Sequence, residues 1–204
     1  MTPIYLTIIA FLALINLSDA TACCAHPRCG EPGFKFAQYN NPFLSDHSPT
    51  YDKLNLTYFS TQQPIRAGIS SAANNQQVTG DKVGNWLLNY RAFLYTCHSG
   101  NYTFASPAAD DVTLVWLGKE NVDKATQEAA SLRQYFYGDN SPKTVHKELE
   151  AGVYYPIRIV SANGGGPMVH GITILDPKGR KVDGATSHGS SFLLTEACGK
   201  KIGN

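Results

Sequence analysis

From residue 54 to residue 195 the sequence is a string of short runs rich in β-branched and aromatic residues, at 54–60, 85–95, 101–105, 112–117, 152–161, 171–175 and 191–195. Turn-forming residues separate them, most clearly Asp176-Pro177-Lys178-Gly179. Several runs alternate with period two. On an extended backbone Tyr102 and Phe104 fall on one face and Asn101 and Thr103 on the other, and Leu114 and Trp116 oppose Thr113 and Val115. Many short strands without alternating helices restrict the chain to an all-β sandwich or barrel. Two stretches fall outside the pattern. The entry, 23–50, is dense in Pro, Gly and Asn and reads as irregular backbone. In 121–137, Val122, Ala125, Ala129, Leu132 and Phe136 approach helical spacing, which fits a short surface helix or an ordered loop.

Residues 1–17 carry no charged side chain, and small residues follow at Ser18, Ala20 and Ala22. This reads as a secretory signal peptide over residues 1–22, cut after Ala20 or Ala22, leaving a single domain over 23–204. A retained membrane anchor is the competing reading. The exported form would be secreted, or held at a cell surface or wall as part of a longer product. No later segment is apolar enough for membrane insertion of the mature chain. With 17 Lys and Arg against 16 Asp and Glu, the chain lacks the basic excess of a nucleic-acid binder. Asn55 and Asn101 stand in N-glycosylation sequons, in keeping with export.

An oxidising destination makes disulfides the default for Cys23, Cys24, Cys29, Cys97 and Cys198. A metal site from Cys23, Cys24, His26 and Cys29 is the alternative, but it lacks a second ligand pair. Adjacent Cys23 and Cys24 are expected to feed two bridges, to Cys97 and Cys198, clamping the termini. Cys29 is then the odd thiol, free or bridging two copies into a dimer.

Asp110-Asp111 precedes the run 112–117. Successive side chains of an extended strand point to opposite faces, so both carboxylates reach one ion only through unusual backbone, such as a cis peptide. A solvated loop end is the plainer reading. After 154–160 comes Ser161-Ala162-Asn163-Gly164-Gly165-Gly166-Pro167-Met168. Its glycines can expose carbonyl oxygens and Asn163 adds an amide oxygen, a donor set suited to calcium. Phosphate cradling competes, without the GK[ST] ending it needs.

The segments GFKFAQYNNP (33–42), DDVTLVWLG (110–118), YYPIRIVSANGGGP (154–167) and ITILDPKG (172–179) together resemble the GLEYA branch of the PA14-type fungal adhesins, relatives of the flocculins. The resemblance implies an antiparallel β-sandwich with long loops and a C-type-like lectin site. It implies a Ca2+ held by Asp110, Asp111, Asn163 and the carbonyls of Gly165 and Pro167. Sugar binding would involve Asp110, Asp111, Asn163, Gly164, Gly166 and Met168. Loops over 118–137 and 168–170 would select the sugar. The partners implied are glycans on host or neighbouring cells. The family's name motif is altered here to Gly33-Phe34-Lys35-Phe36-Ala37. Trp116 reads either as core or as a sugar-stacking ring. Two other functions stand beside the lectin: a structural cell-wall sandwich without sugar binding, and a hydrolase using His98, His170 or His188, for which no G-x-S-x-G turn is present.

Overall fold

The computed structural model describes residues 29–74, 84–182, 192–199 and 201–204. Two antiparallel sheets form the expected sandwich. The larger runs β2 (Arg66–Ser70), β1 (Phe34–Asn40), β3 (Trp86–Tyr95), β8 (Tyr154–Ala162), β5 (Val112–Leu117) and β6 (Leu132–Tyr135), with β10 (Leu193–Leu194) also paired to β3. The smaller runs β7 (Lys143–Leu149), β4 (Gly100–Ser106) and β9 (Thr173–Leu175).

Period-two patterning places the core between these layers. Leu88, Tyr90, Ala92 and Leu94 of β3, Ile157 and Ile159 of β8, and Val115 of β5 meet Tyr102 and Phe104 of β4. The opposite face of the large sheet is covered as well, which is why every residue of β5 is buried. There Leu114, Trp116, Val160 and Ala162 pack under Tyr51, Leu54 and Phe59 from the long 41–65 loop. Trp116 is a core residue: it is fully buried and its indole N–H donates to the Thr126 carbonyl at 2.8 Å.

Four expectations are corrected. The run 54–60 is no strand: the Asn55 carboxamide oxygen accepts the N–H groups of Thr57 and Tyr58, which turns the backbone into the 3-10 turn Tyr58–Ser60. The entry contains β1, whose pairing to both β2 and β3 overrides its Gly- and Pro-rich surroundings. In 121–137 only the first part is helical. The helix α1 (Lys119–Lys124), laced by Lys119–Asp123 and Glu120–Lys124 ion pairs, ends at Ala125 in a left-handed conformation. The rest is captured as β6 by its ladder with β5, in which Leu132 pairs with Val115.

The fourth concerns the cysteines. Cys29 is not the odd thiol: it is bonded to Cys198, with Cα atoms 5.6 Å apart. The cause is register. Glu31 and Gly33 exchange backbone hydrogen bonds with Thr195 and Leu193, and this short ladder brings Cys29 beside Cys198. The termini are thus clamped, from a different cysteine than expected. Cys97 is disulfide-bonded too, to a partner outside the described residues, where the expected Cys23 and Cys24 also lie. The signal-peptide segment lies outside them as well.

Candidate functional site

Two loop segments meet at the same end of β5 and β8. Asp111 N–H donates to the Ala162 carbonyl (3.1 Å) and Asp110 N–H to the Val169 carbonyl (3.0 Å), so the pair is held between the end of β8 and the chain beyond the glycine loop. A cis peptide joins Asp110 to Asp111. Asp111 is 7% exposed and accepts the Gly164 N–H on Oδ2 at 2.6 Å. Burial, the charge of Asp111 and a hydrogen bond with it push the Asp110 carboxyl up from its ordinary 3.8 to about 6. Among the described residues neither carboxylate has a salt bridge to relieve that repulsion.

The glycine loop is anchored through Asn163, which is fully buried. Its amide nitrogen donates to the carbonyls of Gly84 (2.6 Å) and Gly166 (3.1 Å), and its amide oxygen accepts the Gly165 N–H (3.2 Å). Asn41 donates to the Asn163 carbonyl (2.9 Å) and to the Tyr51 hydroxyl (3.1 Å), which in turn donates to the Phe43 carbonyl (3.0 Å). Gly165 and Gly166 have φ of 139° and 78°, where a side chain is disfavoured. Gly164 is constrained by space: a Cβ there would stand 2.8 Å from the Tyr51 hydroxyl and 3.2 Å from Asp111 Oδ2.

These contacts bring Asp111 and Gly164 together at a small cavity of about 160 Å³, lined also by Gly165, Ser45, Asp46, His47 and Tyr137; of the sequence-based candidates, Asp110, Asn163, Gly166 and Pro167 do not line it. The Asp46 to His47 wall has no counterpart in the sequence-based candidates. Asp46 is 4% exposed and both its oxygens accept backbone N–H groups, from Ser48 and Lys53. Burial alone would raise its carboxyl, but these bonds outweigh it and hold it below the ordinary value. The Ser-Asp-His-Ser-Pro stretch signals a turn; nothing in it signals that residue 46 faces residue 164. The His47 ring packs against Tyr137 at 4.5 Å, both at the mouth.

Met168 stands apart from the other candidates. Its side chain is 3% exposed and belongs to the core cluster between the sheets, because the loop turns inward after Pro167. Its side chain therefore does not line the cavity. His170 is buried as well, stacked on Tyr90 at 5.6 Å with Nδ1 3.2 Å from the Thr113 hydroxyl. Burial drives its pKa down to about 3, so it stays neutral and walled off from solvent, which is no place for a hydrolytic base. His188 lies outside the described residues. Asn55 and Asn101 are both exposed.

The donor set is oxygen only: two carboxylates, an amide and backbone carbonyls. Among the described residues no group of three or more His, Cys, Asp or Glu is gathered as a metal site. Two repelling carboxylates, with an amide oxygen and backbone carbonyls in the adjoining loop, are the donor types of a hard divalent cation and not of a soft one.

Residues 86–176 match the family model of the GLEYA domain, from the start of β3 to the residue after β9. Among curated proteins no sequence matches the chain. Among solved structures the chain is similar to the epithelial adhesin 6 A domain of Candida glabrata, in complex with Galβ1-3GlcNAc, at TM-score 0.61 and 16% identity, covering 89% of this chain and 95% of that one. It is similar to the epithelial adhesin 9 A domain of the same organism, in complex with Galβ1-4GlcNAc, at 0.57 and 14%, covering 85% and 98%. The PA14 domain of the MpAFP antifreeze protein aligns at 0.52 and 14%, covering 82% and 92%. At such identities these likenesses establish a PA14-like fold.

Proposed function

We propose that this chain, which carries a GLEYA domain over residues 86–176 in a PA14-like sandwich, is a calcium-dependent lectin. It would be exported behind a cleaved leader and act as a secreted or cell-surface adhesin. The observation that carries the reading is the Asp110-Asp111 pair, bound through Asp111 to Gly164 and without a salt bridge among the described residues. Asp110, Asp111, the Asn163 amide oxygen and the carbonyls of Gly165 and Pro167 are the proposed calcium ligands. Bound there, calcium would offer open coordination positions to vicinal hydroxyls of a sugar.

The chain's own residues do the remaining work. Asn163 holds the loop through Gly84 and Gly166, so its carbonyls are set in place before ligand arrives. Gly166, where a Cβ would meet nothing within 4 Å, would let a sugar ring approach closely, and His47 and Tyr137 at the mouth would supply flat faces for it. The partners would be glycans on host or neighbouring cells. The glycan complexes of the two Candida adhesin domains support that class and make β-galactosides the first ligands to try. No bond is made or broken in this function, and the hydrolase reading has no accessible base in His170.

The test is a glycan array probed with calcium and again with EDTA, using wild type and Asp110→Asn. Binding lost with EDTA and in the variant is the expected result. A folded protein that binds no glycan in either condition would leave the structural cell-wall role, and a variant that binds as well as wild type would overturn the calcium site.

A further inference from the structure

On the face of the large sheet covered by the 41–65 loop, β1, β3 and β8 place three cations in a single cross-strand row. Lys35 pairs with Arg91, and Arg91 with Arg158; the next strand in line, β5, contributes Trp116 opposite Arg158. Neighbouring strands lie about 5 Å apart, so the three side chains leave the sheet directly beside one another. Like charges placed opposite each other weaken a sheet. Lys35 reaches Glu196 at 3.4 Å, but among the described residues Arg91 and Arg158 have no carboxylate.

The row forms the side of a groove of about 560 Å³. Lys35, Arg91, Lys124 and Arg158 line it against one carboxylate, Asp123, which is itself paired to Lys119 at 2.6 Å. Arg158 is fixed in position: its Nε–H donates to Asn89 at 3.0 Å and its guanidinium lies 5.3 Å from the centre of the Trp116 ring. Both orientations and charge are thus preset in a half-buried site. The remaining walls mix rings with hydroxyl and amide groups, among them Tyr39, Phe59 and Ser60. This volume and lining suit one or two sugar rings better than an extended peptide.

We infer that this groove is a second binding site, for the carboxylate or sulfate of an acidic saccharide, with Arg91 and Arg158 holding the acid and Tyr39 and Phe59 packing against the ring. It is separate from the aspartate site, since Asn163, just past the end of β8, is five residues from Arg158, about 17 Å of extended chain. An acid seated across the row neutralises the repulsion that the bare sheet carries.

The test is an NMR titration of the 15N-labelled chain in EDTA, which takes the aspartate site out of play. Glucuronic acid, N-acetylglucosamine 6-sulfate, glucose, inorganic sulfate and poly-glutamate are compared at one ionic strength. The expected result is that at least one acidic sugar shifts the Arg158 Nε–H and Asn89 side-chain signals, and that glucose does not. Which of the two acidic sugars acts identifies the acid. Arg91 is exposed, so Arg91→Gln is expected to fold and to weaken binding at least tenfold, with Arg91→Lys in between. Silence of both acidic sugars, unchanged binding by Arg91→Gln, or tighter binding of inorganic sulfate or poly-glutamate than of either sugar would overturn the inference.

Discussion

In the proposed calcium site, a carboxyl held at about 6 beside a second carboxylate would tie cation binding to pH. The folded value of Asp110 is raised above its ordinary 3.8, so the cation-free fold grips this proton more tightly than the unfolded chain does. Its unfavourable contribution is absent below 3.8, grows as pH rises to about 6, and is complete above that. Cation affinity should run the other way, falling as pH drops through 6 and the proton competes for the site. Calcium titrations by calorimetry from pH 7 to 5 are expected to show this fall, and Asp110→Asn should flatten the pH dependence of cation-free stability across the same window. Gly164→Ala tests the loop: a methyl 2.8 Å from the Tyr51 hydroxyl must displace it or the loop, and glycan affinity should fall at least tenfold while the far-UV spectrum stays unchanged. At this scale the sequence was legible where chemistry is local. Adjacent aspartates and an Asn-Gly-rich loop announce themselves as types and spacings. Asp46 and His47 were not legible, because their place in the site depends on the 41–65 loop crossing β8. Met168 misled for the converse reason: it sits next to the loop in sequence but turns into the core.

β5 and β8 are the elements on which the site rests. Both are buried on two faces, and their ladder runs from Val112 opposite Ala162, next to the aspartates, to Leu117 opposite Ile157. Trp116 is the largest fully buried side chain, and Trp116→Ala is expected to cost about 3–5 kcal/mol, read from urea unfolding. Strands of this kind were predictable because β-branched or aromatic residues make up more than half of each. β1, β2, β6 and β7 were not. β7 reads Lys-Thr-Val-His-Lys-Glu-Leu, with Leu149 its one buried residue, and is a strand because β4 supplies its hydrogen bonds. β6 lies in a stretch with helical spacing and becomes a strand because β5 offers an open edge. Where pairing with a distant partner outweighs local preference, one sequence read alone does not reveal the element.

For the molecule as a whole, the ends of the described fold are tied together twice: by Cys29–Cys198, and by the backbone hydrogen bonds of Glu31 and Gly33 with Thr195 and Leu193. In the chain-entropy view, closing a loop whose ends lie 169 residues apart stabilises the fold by about 5 kcal/mol, so Cys29→Ser is expected to lower the Tm markedly in calorimetry. If calcium binds the folded form alone, an ion concentration a hundredfold above Kd should add about 2.7 kcal/mol, and EDTA should remove it. The clamp also decides how the domain behaves under tension. A pull applied across residues 29 and 198 travels through one covalent link and bypasses every strand between them. The sandwich between those two points carries none of that load. In an optical trap the domain should stay short until a reductant is added, and then lengthen in a single large step.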